Sequence, residues 1–146
     1  MSSTASAPAR SERTERAAIH RWWWAGPLAI IASVVANLIV RFIALAVFDI
    51  PGRFSPLANP GPVIALTTLG VAGAVIVFAI VSRFARHPAR LFRVIALVVL
   101  LLSFLPDLRL LKVQGATVPA VGTLMFMHIV AAAISVGWLT ARAPKE

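Results

Sequence analysis

The chain has no cysteine and few charged residues, which make up only 13% of its 146 residues. The absence of cysteine excludes disulfide bonds, thiolate metal sites and cysteine-based catalysis. Soluble domains contain about 25% charged and about 45–50% apolar residues, whereas 60% of this chain is hydrophobic. A soluble domain of this size has too little interior to hide so much apolar surface. The composition therefore predicts a membrane protein.

The sequence also lacks the short motifs of common enzyme chemistry. It has no H-E-x-x-H zinc motif, no G-x-S-x-G nucleophile elbow, no phosphate-binding loop and no dinucleotide fingerprint. Ser103 and His128 are the one nucleophile–base pair at a similar depth in the apolar runs, and no oxyanion hole is visible beside them. No apolar run carries the mid-membrane carboxylate that small multidrug exporters need. We therefore expect no enzyme activity, no cofactor and no bound metal ion.

Four long apolar runs dominate the sequence that is present. A helix needs roughly 20 mostly apolar residues to cross a bilayer, and the four runs predict spans over residues 24–48, 62–82, 90–106 and 118–139. The predicted fold class is all-α, an integral membrane four-helix bundle. This transmembrane domain is expected over residues 19–141, between a disordered cytoplasmic tail at residues 1–18 and a short cytoplasmic tail at residues 142–146. The connection at residues 51–61, rich in proline and glycine, is expected to be irregular.

Lysine and arginine are distributed unevenly between the two sides of these spans. Of the 14 such residues, ten lie beside the termini or between the second and third spans, Arg41 lies within the first run, and three lie on the other side: Arg53, Arg109 and Lys112. Loops on the cytoplasmic side carry the excess of Lys and Arg. We therefore predict a multi-pass protein of the cell inner (plasma) membrane with both termini in the cytoplasm. The same distribution explains the net charge of +9 without nucleic-acid binding.

A few polar residues lie deep in the apolar runs, where an unpaired polar group costs several kcal/mol. Counting about 1.5 Å per residue from the cytoplasmic ends predicts a mid-membrane polar layer of Asn37, Ser103 and His128. His128 is expected to face the bundle because small residues, which mark helix–helix contacts in membranes, follow it on the same face: Ala131, Ala132 and Ser135. His128 either fixes helix packing by a hydrogen bond or serves as a proton relay, ligand contact or haem ligand. A haem would need a second axial ligand from a homodimer.

Arg41 and Asp107 form a predicted charged cluster nearer the outer side. Arg41 either pairs with Asp107 and ties spans one and three together, extends toward the interface, or binds an anionic ligand or lipid head group. Arg41 also continues a series at four-residue steps that is expected to face the bundle: Ala29, Ser33 and Asn37. In the second span, the pattern from Gly70 to Ala74 predicts close helix packing.

Three short stretches of this sequence are shared with a known family. They are Ala36–Leu38, the third-span run from Ile95 through Asp107, and Met127–Ala132. On these stretches the chain resembles a widespread bacterial family of four-helix membrane proteins defined only as a domain of unknown function, over about residues 25–140. The resemblance implies a four-span fold and gives weight to Asn37, Asp107 and His128. It implies no activity, substrate or cofactor.

Two functions of different classes are open at this point. The first is a non-enzymatic structural or accessory component of the membrane. The second is a small transporter or ligand-binding membrane protein that uses the polar layer of Asn37, Ser103 and His128. Four short helices enclose little volume, so a transport path would need a homodimer. The expected partners are the lipid bilayer and either a second copy of the chain or another membrane protein.

Overall fold

The structure is a computed structural model that describes residues 8–52 and 54–141, with side chains from residue 24 onward in those ranges. Five helices follow one another in this part of the chain. They are α1 (Pro8–Val47), α2 (Ser55–Ala58), α3 (Pro60–Phe84), α4 (Pro88–Leu110) and α5 (Val118–Thr140). The described ranges contain no β-strand.

The four long helices each contain a segment that is long and apolar enough to cross a membrane. These segments are Trp24–Val47, Pro60–Phe84, Pro88–Leu110 and Val118–Thr140. Many large apolar side chains are exposed on the outside of the bundle, where a bilayer rather than water would cover them. The structure thus confirms the predicted all-α membrane four-helix bundle, and the predicted spans agree with it to within a few residues.

The first helix begins earlier than the sequence predicted. α1 starts at Pro8, so residues 8–18 are helical where a disordered tail was expected. The physical reason is local: from residue 9 to residue 25 there is no proline or glycine to interrupt a helix. Residues 1–7 and 142–146 lie outside the described residues, and the tails predicted there stay predictions.

Proline marks the start of each of the later helices. α3 begins at Pro60, α4 begins at Pro88, and Pro119 is the second residue of α5. Proline suits the first helical turn because the N–H that it lacks would have no partner there. α5 is also capped by Thr117, whose Oγ1 accepts a hydrogen bond from the Ala120 backbone N–H at 3.3 Å.

Two connecting regions are more helical than expected. α4 continues past Pro106 to Leu110, although proline at this position removes one backbone donor; such a proline is tolerated near the end of a membrane helix. Asp107 therefore keeps its helical register and is buried. The connection at residues 51–61, predicted to be irregular, contains the single turn of α2.

The long helices form a ring in chain order. α1 packs against α3, α3 against α4, α4 against α5, and α5 closes the ring against α1. α3 and α5 also contact each other across the middle, whereas α1 and α4 occupy opposite corners. α1 and α3 approach closely at Gly26, where an added Cβ would lie 3.1 Å from Cγ1 of Val75.

Apolar clusters close the bundle at both of its ends. At the end that holds α2, here called the α2 end, the buried cluster consists of Phe54, Leu57, Val63, Ala120, Val121 and Met127. At the opposite end it consists of Phe78, Phe92 and Leu139. The rings of Phe78 and Phe92 meet edge to face, with centroids 4.9 Å apart and planes at 63°.

Candidate functional site

A cavity of about 310 Å³ lies in the middle of the bundle. Its wall is formed mainly by α3, α4 and α5, and α1 and α2 contribute one residue each, Asn37 and Pro56. Phe92, from the cluster at the opposite end, also lines it. Most of the lining side chains are apolar, with a few polar groups set among them. Sites for small molecules typically combine a mainly apolar wall with a few convergent polar groups.

The cavity brings together all three residues of the predicted polar layer. Asn37 from α1, Ser103 from α4 and His128 from α5 each line it. The small residues that follow His128 on its helix face also line it, as expected for a bundle-facing surface: Ala131, Ala132 and Ser135. The face of α1 predicted to point inward is buried as well, with Ala29 and Ser33 at 0% exposure.

Asn37 forms one hydrogen bond and leaves one polar atom unpaired. Its Nδ2 donates to Oγ1 of Thr67 on α3 at 3.0 Å. Its Oδ1 has no hydrogen-bond partner among the described residues, although the side chain is 3% exposed. Exchanging the amide nitrogen and oxygen would still leave one of them unpaired. A buried polar atom without a partner costs about 1–3 kcal/mol.

His128 has its two ring nitrogens in different surroundings. Nδ1 lies 2.9 Å from the backbone carbonyl oxygen of Leu124 and 3.1 Å from Oδ2 of Asp107. Of these contacts, the one to Leu124 has hydrogen-bond geometry, and Oδ2 has no aligned donor in the described part of the chain. A carbonyl oxygen only accepts, so Nδ1 carries a proton. Nε2 has no partner among the described residues.

The Ser103 hydroxyl is already engaged within its own helix. Its Oγ donates to the Leu100 carbonyl oxygen at 2.7 Å. The proton is therefore directed at the backbone, and the oxygen keeps only acceptor capacity toward the cavity. Ser103 and His128 share the cavity, but no hydrogen bond links them in the described structure.

The predicted pair of Arg41 and Asp107 is not formed. Arg41 donates from Nε to the Leu57 carbonyl oxygen and from Nη2 to the Ala58 carbonyl oxygen, both at 3.0 Å. Asp107 lies instead beside His128. The reason is topological, because α1 and α4 occupy opposite corners of the ring. Arg41 thus extends toward the connection between spans one and two.

Asp107 reaches His128 because of the direction in which helical side chains lean. Each Cα–Cβ bond tilts toward the N-terminus of its own helix. α4 and α5 run in opposite directions, so the two side chains lean toward each other along the bundle axis. The predicted depths of Asp107 and His128 in the membrane differ by four residues, and the lean of the two side chains spans this difference. The two predicted polar groups, mid-membrane and outer, are therefore joined through this contact.

Two lining residues were missed or misread from the sequence. Thr67, the partner of Asn37, was not predicted to belong to the site. Its spacing from Gly70, Val71 and Ala74 is that of a single helix face, which is the pattern that could have indicated it. Gly70 was predicted to permit close helix packing, but nothing lies within 4 Å of a Cβ built at this position. The small residue at Gly70 leaves space open at the cavity instead of bringing two helices together.

The arrangement offers no obvious metal site. Within the residues that the structure describes, no group of three His, Asp or Glu side chains could hold a metal ion. His128 is the ionisable residue that lines the cavity and has Asp107 beside it, and Asn37 and Ser103 are neutral polar residues of the lining. These side chains can form hydrogen bonds to a bound molecule.

These features define a small multi-pass membrane protein: four apolar helices around a mainly apolar cavity with a few polar groups. A family model of proteins of unknown function, DUF6069, matches residues 17–145, and the chain belongs to this family. The match confirms the resemblance seen in the sequence to a family of unknown function. No curated protein and no solved structure matches the chain.

Proposed function

We propose that this chain is a non-enzymatic, multi-pass membrane protein that binds a small, mainly apolar molecule in the cavity between α3, α4 and α5. The observation that carries the proposal is the cavity itself, of about 310 Å³, where polar residues from all four long helices meet. It favours the second of the two functions considered from the sequence. A structural or accessory role needs no such space, because helices that serve packing alone fill their interface.

The lining of the cavity supports access from the bilayer. Leu66 on α3 and Val99 on α4 line the cavity, yet they are 68% and 57% exposed on the surface of the bundle. Gly70, one helical turn from Leu66 on α3, is also exposed and leaves open space. A molecule dissolved in the lipid can therefore approach between α3 and α4 without crossing a polar surface.

The state of the polar groups supports binding rather than catalysis. A serine nucleophile needs a base that accepts its proton, whereas the Ser103 proton is directed at the Leu100 carbonyl oxygen. The protonated nitrogen of His128, Nδ1, faces Leu124 and Asp107. The groups are placed to hold a ligand and not to attack one.

We also propose that the protein lies in the inner membrane of a bacterium, with both termini in the cytoplasm. The supporting observation is the exposed arginine cluster at the connection between α3 and α4: Arg83, Arg86, Arg90 and Arg93. Basic residues of this kind favour the cytoplasmic side. Reporter enzymes fused after residue 146 should be active only if they function in the cytoplasm, and a periplasmic signal would refute this orientation.

Filling the cavity from Gly70 tests the binding proposal. Gly70→Phe places a ring in the open space, whereas Gly137→Phe is a matched control: nothing lies within 4 Å of an added Cβ there either, and Gly137 does not line the cavity. Each protein is extracted from its own membranes in polymer-bounded lipid discs, and bound small molecules are identified by native mass spectrometry. We expect one molecule per chain in the natural protein and in Gly137→Phe, and at least about tenfold less in Gly70→Phe.

Two results would overturn the proposal. One is an equal amount of bound molecule in Gly70→Phe and Gly137→Phe, and the other is no bound molecule in the natural protein. Either result would leave the structural or accessory role, with a second copy or another membrane protein as the partner. Both variants replace glycine in a helix, so their gains in helix propensity cancel in the comparison.

A further inference from the structure

His128 presents a hydrogen-bond acceptor to the cavity. The proton on Nδ1 is directed at the Leu124 carbonyl oxygen, and the nearby Asp107 carboxylate also favours a proton there. In a neutral imidazole only one nitrogen carries a proton, so Nε2 is left as an acceptor. The side chain is 42% exposed and lines the cavity, which makes this nitrogen available to a bound molecule.

The other polar atoms at the cavity are also acceptors in surplus. Asn37 uses its amide nitrogen on Thr67 and leaves Oδ1 unpaired. Ser103 gives its proton to the Leu100 carbonyl oxygen. A ligand that only accepts hydrogen bonds would leave the acceptors of His128 and Ser103 unpaired, whereas a ligand that donates one would satisfy an atom of the wall.

The charges near the cavity disfavour an anionic ligand. No lysine or arginine lines the wall, and Arg41 is held by the carbonyl oxygens of Leu57 and Ala58. Asp107 stands behind His128, so a fatty-acid carboxylate or a phosphate would lie near a second acidic group, in a medium of low dielectric constant and without a cation to balance its charge.

We infer that the cavity selects a lipophilic alcohol or phenol, whose hydroxyl group donates a hydrogen bond to Nε2 of His128. The apolar body of the molecule lies against the small and aliphatic side chains of α3, α4 and α5. This inference rests on the proposed function, since it names the class of molecule that the proposed site takes. His128 then determines specificity, and Asp107 and Leu124 position its ring.

A pair of probes that differ only in the donor tests this class. 2-Naphthol and 2-methoxynaphthalene share one aromatic body, and the second has no hydroxyl proton. Their fluorescence is titrated at pH 7 with the natural protein in detergent micelles, and Gly70→Phe in the same micelles gives the nonspecific partition of each probe. We expect the natural protein to bind naphthol about tenfold more tightly than the ether, the effect of one hydrogen bond in an apolar site.

Two variants assign the preference to the acceptor. In His128→Leu we expect naphthol to bind no more tightly than the ether, while the ether keeps its affinity and shows that the cavity is intact. His128→Gln, which offers an amide oxygen at a similar reach, should restore a preference for naphthol. A preference that survives in His128→Leu would overturn the role of His128.

The outcomes separate the two proposals. If both probes bind the natural protein equally and Gly70→Phe binds neither, the cavity is a binding site but the inference about alcohols and phenols is wrong. Equal binding is also what a protonated His128 would give, because Nε2 would then donate to the ether oxygen. If neither probe binds more tightly than in Gly70→Phe, the proposed function fails together with the inference.

Discussion

Replacing Arg41 by leucine is expected to lower the free energy of unfolding by about 2–4 kcal/mol. The guanidinium group donates to the carbonyl oxygens of Leu57 and Ala58 at 3.0 Å each, and these are the last residues of α2. Without Arg41, these two carbonyl groups lose their charged donors. Leu57, which is fully buried, would then be held less firmly in the cluster at the α2 end. Steric trapping in bicelles measures the loss.

Control variants distinguish this role of Arg41 from a pair with Asp107. Arg41→Lys should recover part of the loss, because an ammonium group keeps the charge but lacks the two-pronged geometry. Arg109 is exposed and its side chain forms no hydrogen bond in the described structure. Arg109→Leu should therefore change the free energy of unfolding by less than about 0.5 kcal/mol. The double variant that exchanges the charges, Arg41→Asp with Asp107→Arg, should be no more stable than the single variants predict. Restored stability in that double variant would show that the two side chains pair.

Phe92→Ala is expected to cost about 2–4 kcal/mol of unfolding free energy in the same assay. Phe92 is 1% exposed, and its ring meets that of Phe78 edge to face. In a bilayer the unfolded helices remain in an apolar solvent, so the loss comes from packing contacts and the new void rather than from transfer to water. The expected value therefore lies toward the lower part of the range for water-soluble proteins.

Phe84→Ala provides the matched comparison for Phe92. Phe84 is 80% exposed near the end of α3, so the same truncation there removes few contacts within the protein. We expect a change of less than about 0.5 kcal/mol. Similar losses for both variants would mean that the cluster of Phe78, Phe92 and Leu139 does not hold the opposite end of the bundle together.

The spans and the level of the polar residues could be predicted because both depend on a fixed rise per residue. Hydropathy located the four helices, and counting along them placed Asn37, Ser103 and His128 together; all three line one cavity. The same counting cannot say which corner of a ring a helix occupies. That is why the predicted contact between Arg41 and Asp107 failed, with α1 and α4 on opposite corners.

Other features depend on geometry that a sequence pattern does not contain. The contact of Asp107 with His128 requires the lean of side chains along antiparallel helices and a helix that continues through Pro106. Gly70 has the same sequence signature whether it permits close packing or leaves a void, and only the positions of neighbouring helices decide between them. The single turn of α2 supplies the partners of Arg41. It could not be predicted because its segment is rich in proline and glycine, which is typical of irregular loops.

The central claim is that the cavity at Asn37, Ser103 and His128 holds a small molecule. The most direct measurement is X-ray crystallography. Crystals of the protein are grown in a lipid phase and soaked with 6-bromo-2-naphthol, whose bromine gives an anomalous signal. We predict one strong bromine peak between α3 and α4 beside Gly70, with the hydroxyl oxygen within hydrogen-bond distance of His128 Nε2. Bromine peaks only on the outer, lipid-facing surface of the bundle, with the cavity empty or filled by side chains, would contradict the claim.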